Sequence, residues 1–107
     1  MDWQKLISDL RESNKAAKAA AEAVSDGGSA NLDAVFLSIP RQQEIKVLKA
    51  IQEAGLYCRG KREWIGKGYM ITPSCDGMAN KREKAVTVMV EQMRERGWDV
   101  IAFRMVD

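Results

Sequence analysis

The sequence predicts an α+β fold: a ferredoxin-like βαββαβ unit, a four-stranded antiparallel sheet with two helices on one face, preceded by an extra N-terminal helix. Three observations predict it. The apolar period alternates between the helical spacing and the strand spacing, in the order helix, strand, helix, strand, strand, helix, strand. Two strand–helix units echo each other: "VFLSIP" leads through a helical stretch to "AGLY", and "YMITP" leads through another to "RGWD". Between them, "IGKG" has the composition of a hairpin turn.

The first element, "DWQKLISDLRESNKAAKAAAEAVSDGG", reads as a helix ended by Gly27 and Gly28. Trp3, Leu6, Ile7, Leu10, Ala17, Ala20, Ala21 and Val24 recur on one face. The bulky first half would dock on the domain, while the alanine half offers high helicity but little buried area and could project. Residues 1–26 are therefore expected to form an amphipathic, Ala-rich helix, residues 27–31 a Gly/Ser linker, and residues 32–107 the βαββαβ domain. Trp3, Leu6, Ile7 and Leu10 form a short candidate seam for a homodimer, packing on the same chain being the alternative.

"AVFLSI", stopped by Pro40, is a short apolar strand. In "RQQEIKVLKAIQEAG", Ile45, Val47, Leu48, Ile51 and Ala54 form the expected apolar face, and Gly55 ends the helix. The stretch 57–72, "YCRGKREWIGKGYMIT", is the expected hairpin, with Gly66 and Lys67 as a two-residue loop. That register sets Trp64 opposite Tyr69, Arg62 opposite Ile71 and Cys58 opposite Cys75. The two cysteines then become cross-strand neighbours, with two reduced thiols the expected state and a disulfide the alternative. "SCDGMA" is a loop. "NKREKAVTVMVEQMRERG" is a helix with Asn80 and Glu83 at capping-box spacing and Ala85, Val86, Met89, Val90 and Met93 as its buried face. "WDVIAFRMV" is the last strand.

Composition narrows the chemistry. With 107 residues, 46% of them apolar and 30% charged, the chain suits one soluble folded domain. Its 17 Lys and Arg against 15 Asp and Glu leave a formal charge of only +2, so no global field draws it to nucleic acid or anionic lipid. No apolar run is long enough to span a membrane, and the first residues lack a signal peptide's pattern, so the expected setting is the cytoplasm with no membrane partner. The absence of histidine removes the commonest general base and metal ligand. Cys58, Cys75, Glu63 and Asp76 are the remaining chemical candidates, and none has a base or partner acid at a recognisable spacing. No catalytic residue, metal or cofactor is expected.

What remains is recognition. The hairpin places Arg59, Lys61, Arg62 and Lys67 beside Trp64 and Tyr69, the residue types that anchor interfaces. Lys81, Arg82 and Lys84 form a second basic cluster at a helix start, where positive charge opposes the helix dipole. These nine residues are the candidate partner-binding set. The expected function is a small non-catalytic regulator, inhibitor or adaptor that binds a protein, as is frequent among short motif-free chains, including those of phages and mobile elements. The alternative is a nucleic-acid-binding module that uses the basic aromatic hairpin, although nothing matches the glycine-aromatic signature of RNA-recognition motifs.

Overall fold

The computed structural model describes residues 1–25, 27–28, 30–75 and 79–105. Among them the chain forms α1 (Trp3–Glu22), β1 (Ala34–Ser38), α2 (Glu44–Glu53), β2 (Lys61–Trp64), β3 (Gly66–Ile71), α3 (Ala79–Glu95) and β4 (Asp99–Phe103). The fold is α+β, with a four-stranded antiparallel sheet in the order β2-β3-β1-β4. No described helix is long and apolar enough to cross a membrane.

α1 begins where Asp2 caps it, the Asp2 carboxylate accepting the Lys5 N–H at 3.0 Å. It ends at Glu22, short of the glycine pair expected to end it, and Lys81 Nζ donates to the Ala21 carbonyl at 3.0 Å at that end. The helix does not project. Leu6, Ile7 and Leu10 join Ala17 and Ala21 in the same core cluster as the sheet and α3. The alanines permit this: with no side-chain bulk, the second half of α1 can lie close against α3, its main neighbour. Leu6, Ile7 and Leu10 are therefore spent inside the domain and do not form a dimer seam, while Trp3 is half-buried at its edge.

Alternation along β1 divides the sheet. Val35 and Leu37 enter the core with Tyr69, Ile71 and Val100, whereas Phe36 points to the opposite face, opposite Met70 on β3 and Ile101 on β4. The helices cover the first face.

In α2, Val47, Ala50 and Ile51 are buried as a stripe, and Gly55, at φ 82°, ends the helix. Ile45 departs from the expected face and is 76% exposed. At about 100° per residue, two positions put it nearly opposite Val47, so it cannot share that stripe. In α3, Ala85, Val86, Met89, Val90 and Met93 are all buried, as expected. Asn80 lies inside this helix and not at its cap. Its backbone N–H donates to the Gly27 carbonyl at 3.1 Å, so the chain before β1 satisfies an amide that the expected capping box would have served. Asp76 and the two residues after it, half of the expected "SCDGMA" loop, lie outside the described residues.

The hairpin register differs from the expected one. Trp64 pairs with Gly66, Glu63 with Lys67, Arg62 with Gly68 and Lys61 with Tyr69, so the chain reverses around Ile65. The offset is odd, and an odd offset exchanges the faces of one strand relative to the other. Tyr69 consequently goes to the helix side while Trp64 goes to the open side.

Candidate binding surface

The open face of the sheet is organised around Gly68. A Cβ on that glycine would stand 2.5 Å from Phe36 Cζ and 2.7 Å from the Leu37 carbonyl oxygen, so only glycine allows β3 to lie against β1 with the Phe36 ring above it. Gly66 and Gly68 also leave β3 bare on this side. Across that bare strip the Trp64 ring, carried on the edge strand β2, reaches Phe36 on β1 and Phe103 on β4. The ring centroids lie 5.3 and 4.9 Å apart and the planes cross at 89° and 83°, both within the edge-to-face range. Phe36 is thereby sealed, while Trp64 stays 40% exposed. Met70, Ile101 and Phe103, all half-buried, share the face by strand alternation.

Arg62 shares the face with Trp64, and Asp99 stands at the far margin on β4. Lys61, Glu63 and Lys67 share the helix side with Tyr69, so the register splits the basic hairpin between two faces. Arg59, Lys61, Arg62 and Lys67 are all exposed. Tyr69 is not available as a surface anchor: it is 2% exposed, within the core cluster. Burial pushes its hydroxyl pKa up, with Glu44 and Cys58 adding to the rise.

The second basic cluster turns out to hold the fold together. Lys81 caps the carbonyl end of α1, which answers the dipole objection at its own helix by a favourable contact at another. Arg82 Nε donates to the Asp33 carbonyl at 2.8 Å. Asp33 is buried and forms an ion pair with Arg104 at 2.8 Å, and Arg104 also donates to Thr87 Oγ1 and the Glu83 carbonyl. Of the three, Lys84 alone is fully on the surface.

Cys58 and Cys75 lie beyond the ends of β2 and β3, so the register does not set them opposite each other. Cys58 is a free thiol whose Sγ donates to the Gly60 carbonyl at 3.7 Å. Burial raises its pKa, outweighing the hydrogen-bonding and charge effects that oppose it. Among the described residues no group of three His, Cys, Asp or Glu side chains is placed to hold a metal ion.

Sequence reasoning singled out Trp64 and Arg62 but missed Phe36, Phe103 and Gly68. The signal was present in "AVFLS" and "DVIAF", where alternation sets each Phe apart from the core residues beside it. Both read instead as uniformly apolar strands, which conceal which face is covered. The chain matches no protein-family model, no curated protein and no solved structure.

Proposed function

We propose that the protein is a small non-catalytic binding protein that recognises another protein through the uncovered face of its sheet. The observation that carries this is the Phe36–Trp64–Phe103 cluster: three aromatic rings packed on the side that no described helix covers, with Trp64 partly exposed at its centre. Burying apolar and aromatic surface of this kind is what stabilises an interface core, with charged residues left to its rim. Here Arg62 lies on the face beside Trp64, so the partner is one with an acidic side chain facing β2. An inhibitor or adaptor would need no more than this. The arrangement in which β3 lies between the parallel strands β1 and β2 supports a ferredoxin-like reading of the fold, and the unbonded Cys58 thiol suits a cytoplasmic setting.

A second reading, binding of single-stranded nucleic acid, draws on Arg62 beside partly exposed rings. The ring geometry weighs against it. Bases stack on rings whose faces point outward, and neighbouring rings crossed at 83° and 89° cannot both lie flat on the sheet.

The two readings separate in one titration series. Wild type and an Arg59/Lys61/Arg62→Ala variant are titrated with single- and double-stranded oligonucleotides from low to physiological salt. The protein reading predicts weak binding that vanishes with salt. Tight, salt-steep binding that the variant loses would replace it with the nucleic-acid reading.

A further inference from the structure

On the helix side of the sheet, just ahead of α2, lies a cavity of about 360 Å³ that the binding face does not use. Ile39 and Pro40 give it apolar wall, and Arg41, Lys61 and Lys67 line it with three cationic side chains. None of these three forms an ion pair or a side-chain hydrogen bond among the described residues. Tyr69 lines the same cavity. Its side chain is 2% exposed, and its hydroxyl is buried with no hydrogen-bond partner among the described residues. A buried hydroxyl without a partner is costly and rare in a packed protein, and a ligand acceptor would relieve it once the cavity wall shifts to uncover the oxygen, which is closed off in the ligand-free protein.

The local backbone adds to the positive potential. α2 is 10 residues long, and its N-cap, Gln43, contributes no side-chain hydrogen bond to the first-turn amides. Two carboxylates share this side: Glu63, opposite Lys67 in the register but without an ion pair to it among the described residues, and Glu44, whose Oε2 accepts the Lys61 backbone N–H at 3.0 Å. Burial, with the charge of Glu44 adding to it, pushes the Tyr69 hydroxyl pKa up, so the hydroxyl remains a donor.

We infer that this cavity binds a small organophosphate, its phosphate oxygens held by Arg41, Lys61, Lys67 and the Tyr69 hydroxyl and its carbon body lying against Ile39 and Pro40. Three cations and one neutral donor suit the several acceptors and double negative charge of a phosphate monoester better than they suit a carboxylate. The volume exceeds what a bare phosphate ion needs, and the apolar wall gives an organic group something to cover.

The test is an amide chemical-shift titration of the isotope-labelled protein in low-salt chloride buffer with phenyl phosphate, inorganic phosphate and benzoate in parallel. Phenyl phosphate should give saturable shifts centred on Arg41, Lys61, Lys67 and Tyr69. Tyr69→Phe, which keeps the ring and so the packing, should weaken it about tenfold. Lys61→Ala and Lys67→Ala should each weaken it too, while Lys84→Ala, on the exposed surface of α3, should leave it unchanged. Equal affinity for inorganic phosphate would overturn the organic part of the assignment, and equal affinity for benzoate would overturn the phosphate part. Absence of saturation, or a Tyr69→Phe variant that binds as wild type does, would overturn the site altogether.

Discussion

Gly68 and Tyr69 are adjacent in the chain and meet opposite demands. Gly68 must have no side chain because Phe36 and the Leu37 carbonyl occupy the space one would fill. Gly68→Ala should therefore destabilise the protein by about 1–3 kcal/mol, the usual cost of overpacking, measured as a lowered urea midpoint with little change in slope. Tyr69 fills the core with its ring but leaves its hydroxyl without a partner among the described residues. Tyr69→Phe should raise stability by about 1 kcal/mol in ligand-free buffer, because the desolvation of that hydroxyl is then removed. Loss of stability in the same unfolding measurement would show that the hydroxyl has a partner after all. These two residues also explain why the hairpin register was not legible. "IGKG" is compatible with more than one loop length, and the choice is made by contacts with β1, distant in sequence: Gly68 beneath Phe36 and Tyr69 opposite Leu37. A rule that reads turn residues alone cannot see them.

Elements whose fate depends on their own pattern were legible, and elements whose fate depends on a neighbour were not. β1 stops before Pro40 and α3 buries the stripe its periodicity marks, because both are determined by local chemistry. α1 is the counter-example. An alanine face serves equally for a free helix and for close helix packing, and only α3, with its own row of Ala85, Val86, Met89 and Met93, decides between them. One contact set fixes the docked α1 and makes it sensitive to acid. Asp9 accepts from Lys5 Nζ at 2.6 Å and from Trp98 Nε1 at 2.8 Å, with Arg96 at 3.7 Å. Burial pushes the Asp9 carboxyl up, but these hydrogen bonds and charges outweigh it and hold the pKa below the ordinary value. A carboxyl with a lowered folded-state pKa stabilises the fold above its unfolded value, about 4, and loses that contribution as pH falls through the folded one. Asp9→Asn should therefore be less stable than wild type at pH 7, and the gap should close as pH falls below about 4, as followed by thermal melts across pH.

Over the whole molecule, a Cα radius of gyration of 13.1 Å matches a compact domain of about 100 residues, which leaves no room for α1 as a detached arm. The helices protect one side of the sheet and leave the other bare. The edge strand β2, with Lys61, Arg62 and Glu63 all exposed, carries the charge that discourages indiscriminate strand-to-strand pairing. A bare aromatic face beside a charged edge is a surface restricted in what it can accept, and the protein-binding account rests on that restriction. Two of the seven basic residues that the sequence singled out are structural: Lys81 braces the end of α1, and Arg82 holds the Asp33 carbonyl. Charge counting could not separate those residues from Arg62 because each one's role is set by where the chain returns in space.

The most direct measurement is a parallel affinity capture from nuclease-treated lysate of the cells the protein comes from. It compares wild type, Trp64→Ala and Lys18→Glu, the last an exposed site on α1, after melts confirm that each variant is folded. The account predicts a protein retained at comparable levels by wild type and Lys18→Glu, and bound about 30-fold more weakly by Trp64→Ala when the purified pair is titrated, as for an interface anchor. A partner held equally well by Trp64→Ala, or one whose retention disappears with the nuclease treatment alone, would contradict it.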